Sequence, residues 1–129
     1  MSEAGRPSDD GRRPVPVATG DEIDAFVAAN DVALVEIYRE GCPICASIEP
    51  VLGAVAKASG VAVATCNPTA DLSVVDEYDV RSVPTLLLFV HGDLVGRLAD
   101  GFQGVDAVFA FVADHLDSGS DVLPAEYRS

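Results

Sequence analysis

The chain has 129 residues, 49% of them hydrophobic, which indicates one folded domain with its own core and excludes general disorder. It carries 21 acidic residues against 8 basic ones, a net charge of −13, and Lys57 is its only lysine. This charge argues against nucleic acid and anionic membranes as partners. It also predicts a halophilic protein, because salt screens acidic self-repulsion; an ordinary acidic protein from a GC-rich genome is the alternative.

The first 14 residues are polar and rich in Pro and Gly, so we expect a disordered N-terminal arm without the apolar centre of a signal peptide. No apolar run approaches the roughly 18 residues of a membrane span. Three cysteines do not make a structural disulfide framework of the kind found in secreted proteins. These features predict a cytoplasmic protein.

Hydrophobic periodicity predicts strands and helices in the order βαβαβαββα. A capping box at Thr19 and Glu22 starts the first helix, and His91-Gly92 makes a hairpin turn. This order predicts an α/β fold with a central mixed β-sheet and helices on both faces, over residues 15–117, followed by a flexible tail at 118–129. The predicted elements are an edge strand at 15–18, a helix to residue 30, a strand at 32–38, a helix to 58, a strand at 61–66, a short helix that holds Leu72 and Tyr78, strands at 86–90 and 94–99, and a helix at 105–116.

Cys42 and Cys45 form a Cys-x-x-Cys pair where a predicted strand meets a predicted helix. Cys42 is expected to cap the helix, with Pro43 at the first helical position, where its missing N–H costs nothing. Free backbone N–H groups and the helix dipole stabilise a thiolate, so we expect Cys42 to be the nucleophile. Cys45, one turn later, is placed to resolve a mixed disulfide. Half of a zinc site is the alternative, but no second pair supplies the other ligands.

Two further side chains are candidates for burial. Glu36 lies in an apolar strand with both faces covered, which predicts a buried acid with a raised pKa; a solvent-facing side chain is the alternative. Cys66 closes a central strand, which favours a small core residue over a regulatory thiol or the third thiol of a cluster. Both histidines, His91 and His115, are expected to be solvated.

With these residues identified, the chain resembles the thioredoxin family over residues 15–116. The resemblance implies the thioredoxin fold, a cis-proline at Pro84, and a role for Glu36 as the buried acid that accepts a proton from the resolving thiol. It also implies substrate contacts at Gly41, Pro43, Ile44, Val83 and Pro84. The residues that carry the resemblance are the strand at 32–38, Cys42 and Cys45, Pro50 in the following helix, Val83-Pro84-Thr85 before a leucine run, Gly92 and Gly101.

Four departures from the family pattern involve six positions. The dipeptide between the cysteines is Pro43-Ile44 instead of Gly-Pro, an order similar to that of glutaredoxins. Gly41 and Tyr38 replace tryptophans, Thr65 replaces a lysine partner of the buried acid, and Glu36 replaces aspartate.

The resemblance implies a thiol–disulfide oxidoreductase that carries electrons to protein disulfides through a Cys42/Cys45 dithiol–disulfide cycle and serves cell redox homeostasis. Its expected partners are protein disulfide substrates and a thioredoxin reductase that draws on NADPH. We expect a monomer with no bound cofactor or metal. The alternatives are a dedicated reductant of one partner, such as a peroxiredoxin, and a redox-sensing adaptor.

Overall fold

The structure, a computed structural model, describes residues 13–116, 122–124 and Tyr127; the predicted N-terminal arm up to residue 12 lies outside this range. The described residues form five strands and four α-helices in the predicted order, with one additional turn of 3-10 helix. The elements are β1 (Val15–Val17), α1 (Gly20–Ala28), β2 (Val32–Ile37), α2 (Pro43–Ala58), β3 (Ala62–Cys66), the 3-10 turn (Pro68–Ala70), α3 (Ser73–Glu77), β4 (Thr85–Val90), β5 (Asp93–Leu98) and α4 (Val105–Ala113).

The five strands form one mixed sheet in the order β1-β3-β2-β4-β5, as predicted for the central sheet. The β1–β3 and β2–β3 pairs are parallel, whereas β4 runs antiparallel to both β2 and β5. The strand that contains a proline, β1, lies at an edge, where a missing backbone N–H is tolerated. The central strand β2 is buried along its whole length, which its nearly continuous apolar sequence requires.

Helices cover both faces of the sheet, which confirms the predicted layering. Alternation along β2 sends Leu34 to the face covered by α2 and α4, and Val35 and Ile37 to the face covered by α1 and α3. The first face includes Ile48, Leu52, Phe109 and Val112, and the second includes Ile23, Val27, Val74 and Tyr78. Because Glu36 lies between Val35 and Ile37, its side chain is on the same face as Leu34, under α2.

The predicted start of α1 and the predicted hairpin are both confirmed. Thr19 Oγ1 accepts a hydrogen bond from the Glu22 N–H at 3.1 Å, and Glu22 Oε1 accepts one from the Ala18 N–H at 2.7 Å. Val90 and Asp93 pair across a two-residue turn in which His91 and Gly92 both have positive φ, 52° and 87°. That conformation suits the twist of a β-hairpin.

Part of the segment expected to be a flexible tail packs against the domain. Leu123 is 3% exposed and belongs to the core cluster under α2 and α4. The Gly60 N–H donates a hydrogen bond to the Val122 carbonyl at 2.7 Å, and the Tyr127 ring contacts the Phe109 ring. The described part of this segment therefore differs from the expectation, because one leucine reaches the core; residues 117–121, 125, 126, 128 and 129 lie outside the described range.

Candidate active site

The Cys42–Cys45 pair closes a disulfide across the first turn of α2. The Cα atoms are 5.2 Å apart. Cys42 Sγ accepts a hydrogen bond from the Cys45 N–H at 3.2 Å, so Cys42 is the N-cap of α2, as predicted. Gly41 precedes it with φ of 78°, a conformation that favours glycine. The first turn carries no acidic side chain, so nothing in it opposes a thiolate at Cys42.

The two cysteines differ in access to solvent. Cys42 is partly exposed, whereas Cys45 is 2% exposed and packs into the domain. An incoming disulfide can therefore reach the Cys42 sulfur first. The difference in exposure between the two cysteines, on which the prediction of Cys42 as nucleophile depends, is therefore present in the structure.

The Val83–Pro84 peptide bond is cis, as the resemblance implied. It immediately precedes β4, whose first residue, Thr85, lies opposite Ile37 at the end of β2. Because the chain leaves β2 there for the Cys42 loop, the cis bond and the disulfide lie at the same end of the sheet. The 3-10 turn at Pro68–Ala70 also follows a strand end on this side, since Cys66 pairs with Ile37.

The predicted substrate-contacting residues lie around this end of the sheet with different exposures. Gly41, Pro43 and Ile44 are at least partly exposed, Val83 is partly buried, and the Pro84 ring is buried. The surface that they offer is therefore apolar and uncharged. Their contacts with a substrate stay a prediction.

Two features of this end were not predicted from the sequence. Phe102 is 54% exposed, and it follows β5 where Leu98 pairs with Leu86 near the start of β4. A cleft of about 170 Å³ lies beside Val83, and Arg39 and Arg81 are among its lining residues. For Phe102, an aromatic residue directly after Gly101 was the available sequence signal. No local pattern indicates the cleft, because its two arginines are 42 positions apart in the sequence.

Glu36 is completely buried, as predicted. Neither carboxylate oxygen has a hydrogen-bond partner among the described residues. Burial raises its pKa from 4.5 to about 7, and the nearby Glu49 carboxylate contributes to this shift. A carboxyl group with this pKa can exchange a proton with a thiol near neutral pH.

Cys66 is on the other face of the sheet and takes no part in this arrangement. It is 0% exposed within the α1/α3 core cluster, and burial raises the pKa of its thiol. The predicted core position is confirmed. His91 and His115 are both exposed, and among the described residues no group of three His, Cys, Asp or Glu side chains is placed to hold a metal ion.

Comparison with known proteins supports thiol–disulfide chemistry at the Cys42–Cys45 pair. A protein from Chlamydia caviae named thioredoxin is 28% identical over 102 residues, which cover 78% of this chain and 98% of that protein. Protein disulfide isomerase-like 1-4 of Arabidopsis thaliana is 34% identical over 106 residues, but the match spans 17% of its length. The structure of a single-site mutant of a thioredoxin from Halobacterium salinarum superposes with a TM-score of 0.79 at 30% identity, over 90% of this chain and all of that one.

Site geometry and relatives together define a thiol–disulfide oxidoreductase. The thioredoxin family model matches residues 14–114, more than three quarters of the sequence. The chain belongs to the thioredoxin family. None of the described helices has the length and apolar character needed to cross a lipid bilayer.

Proposed function

We propose that this protein reduces disulfides in other proteins by cycling between the Cys42/Cys45 dithiol and disulfide. The observation that carries the proposal is the unequal exposure of two cysteines joined across the first turn of α2. One sulfur is accessible to a substrate, and the other is held beside it. This arrangement suits attack by the first and resolution by the second.

The reaction begins with the Cys42 thiolate, which attacks one sulfur of the substrate disulfide. A mixed disulfide forms, and the other substrate sulfur leaves as a thiolate that takes a proton from solvent. Cys45 then loses its proton and attacks the Cys42 sulfur, so that the Cys42–Cys45 bond forms as the mixed disulfide breaks. The second substrate thiolate leaves and is protonated. Two electrons have passed to the substrate, and the cysteine pair is oxidised.

Glu36 accepts the proton that Cys45 loses in this proposal. Two observations support this role. The Glu36 side chain is buried on the α2 face of the sheet, and its pKa of about 7 is close to the pH at which the reaction must run. Glu36→Gln should slow resolution by Cys45 and leave the first attack by Cys42 nearly unchanged, as measured by rapid-mixing kinetics of each step. Resolution at the wild-type rate across neutral pH would exclude this role.

The apolar surface around the disulfide is proposed to bind the substrate chain. Gly41, Pro43, Ile44 and Val83 would contact its side chains, and the buried Pro84 would contribute backbone. Glycine at position 41 leaves open space above the backbone, since a Cβ atom there would meet nothing within 4 Å. A substrate can therefore approach this position more closely than it could approach a large side chain.

The oxidised pair must be reduced again for a second turnover. We propose that a thioredoxin reductase using NADPH supplies the electrons and that the cycle operates in the cytoplasm, as family membership and the absence of a disulfide framework favour. The test is multiple-turnover reduction of a generic protein disulfide with NADPH and a thioredoxin reductase. Wild type should turn over many times, whereas Cys42→Ser should not turn over.

A reductant restricted to few partners is the second candidate. The cleft beside Val83 favours it, because Arg39 and Arg81 place two positive charges near the site in a chain with a net charge of −13. No carboxylate of the described residues pairs with Arg39, whereas Arg81 pairs with Asp79 at 3.1 Å. Fast turnover of one acidic partner with slow turnover of generic disulfides would support this candidate, and stoichiometric exchange alone would indicate an adaptor.

A further inference from the structure

An open cavity of about 280 Å³ lies between α2 and the sheet, on the face that holds Glu36. Tyr38, Thr65, Glu49 and Pro16 are among the residues that line it. Thr65 lies opposite Glu36 in the β2–β3 pairing and opposite Pro16 in the β1–β3 pairing, and Tyr38 is two residues further along the chain, just past the end of β2. Paired residues of neighbouring strands, and alternate residues of one strand, share a face of the sheet. The register therefore places this cavity against the part of the sheet where the Glu36 carboxyl is buried.

The groups facing Glu36 from each packed element include one formal charge. Its strand neighbours are Thr65 on β3 and Leu86 on β4, neither of which ionises. The ionisable groups nearby are the phenol of Tyr38, the residue that follows β2, and the carboxylate of Glu49 on α2. None of the residues that line the cavity is basic. Among the described residues that line the cavity, the buried acid thus has a second carboxylate nearby and no cation.

We propose that Glu49 acts across this cavity as a positioning residue for the buried acid, strengthening its hold on the proton that Cys45 must lose. The inference rests on the role of Glu36 given under Proposed function. A carboxyl with an ordinary pKa is a poor acceptor for a thiol proton, because the thiol pKa is about 8.5. The negative charge of Glu49 on the lining of the cavity makes the protonated form of Glu36 more favourable, so the pKa of the acid lies closer to that of the thiol.

Two variants of Glu49 and one matched control test the proposal. Glu49→Gln removes the charge from an exposed position, and Glu49→Lys reverses it. Glu40→Gln is the control, because Glu40 is also an exposed carboxylate in this region and raises the pKa of Tyr38, but it is not among the groups that raise that of Glu36. All three changes are at exposed side chains, so the fold should tolerate them.

The first readout is the titration of Glu36 itself in the oxidised protein. Infrared spectroscopy follows the protonated-carboxyl band that disappears in Glu36→Gln. Glu49→Gln should lower the midpoint of this band by about one pH unit, the scale expected of one neighbouring charge. Glu49→Lys should lower it further, and Glu40→Gln should leave it in place. A midpoint that Glu49→Gln does not move, or that Glu40→Gln moves equally, would overturn the proposal.

The second readout separates this proposal from the role of Glu36. Single-turnover release of a substrate from its mixed disulfide with Cys42 is measured against pH. The pH dependence of release should move in Glu49→Gln by the same amount as the infrared midpoint. If the midpoint moves and the release profile stays, coupling of Glu49 to Glu36 is retained and the proton-acceptor role of Glu36 fails. A purely structural effect of Glu49 would change the rate at every pH without moving the profile, and would overturn the proposal.

Discussion

Glu36 lies directly opposite Thr65 in the parallel pairing of β2 with β3, and neither oxygen of its carboxylate receives a hydrogen bond from any described residue. The resemblance to thioredoxins implies a lysine at this position as the partner of the buried acid, whereas this chain has Thr65. Here the buried acid lacks that cationic partner and has Glu49 nearby. The burial of this acid must therefore cost stability whenever it is ionised.

The pH dependence of stability should reveal this cost. The pKa of Glu36 is about 7 in the folded protein and 4.5 ordinarily, so between these values the folded state holds a proton that the unfolded state has released. The stabilisation is complete below pH 4.5, falls as the pH rises, and is lost above pH 7. Relative to Glu36→Gln, wild type should lose about 3 kcal/mol over this range, measured by urea unfolding with the disulfide intact. A pH-independent difference would show that Glu36 is not protonated in the folded state.

The two cysteines should behave unequally in trapping experiments. Cys45→Ser removes the resolving thiol, so protein partners should accumulate as mixed disulfides on Cys42. Cys42→Ser should trap none and lose all activity. Mass spectrometry after release with a reductant would then identify the substrates. Equal trapping by both variants would show that the nucleophile is assigned incorrectly.

Salt should stabilise the protein. With a net charge of −13, repulsion among acidic side chains opposes the compact state, and molar salt reduces the Debye length to about 3 Å. The melting temperature should rise by at least about 5 °C between low salt and molar KCl, a change of roughly 1 kcal/mol for a domain of this size. NaCl should have a similar effect, because screening does not distinguish the two cations. A flat or falling melting temperature would contradict adaptation to high salt.

The C-terminal segment should contribute to stability. Leu123 is 3% exposed in the core cluster under α2 and α4, so Leu123→Ala should cost about 2 to 4 kcal/mol in the free energy of unfolding. The control is Leu72→Ala, which shortens a leucine that is 69% exposed and should cost no more than about 0.5 kcal/mol. Equal losses would mean that Leu123 does not pack in the core in solution.

Much of this arrangement followed from local sequence, and the remainder from packing between distant segments. Pro43 at the first position of a helix predicted the cap at Cys42, and an apolar strand expected to be covered on both faces predicted a buried Glu36. The influence of Glu49 could not be predicted, because strand register and helix packing bring it over the sheet from an exposed helical position. The cis state of Pro84 was equally inaccessible to local reasoning, since intrinsic preference between the isomers is only about 0.5 to 1 kcal/mol. The burial of Leu123 was not predicted, because the segment 117–129 as a whole is rich in polar residues and shows no clear hydrophobic pattern.

Cys66 should be dispensable for the redox cycle. It is buried on the face of the sheet opposite Glu36, in contact with the α1/α3 core cluster. Cys66→Ala should therefore retain most of the reductase activity, with the same assay on wild type as reference. Rapid alkylation of Cys66 in the native protein, or a disulfide through it between two chains, would instead indicate a regulatory thiol.

The burial of Cys66 has a practical consequence for measuring how often the domain opens. In the oxidised protein the other two cysteines are blocked by their disulfide, so Cys66 is the single thiol that a reagent can modify. Because it is 0% exposed, modification requires the surrounding core to separate. When closing is faster than labelling, the labelling rate divided by that of an unfolded peptide gives the equilibrium constant for opening. Labelling of Cys66 in the native protein therefore measures the free energy of opening in any salt solution without a denaturant.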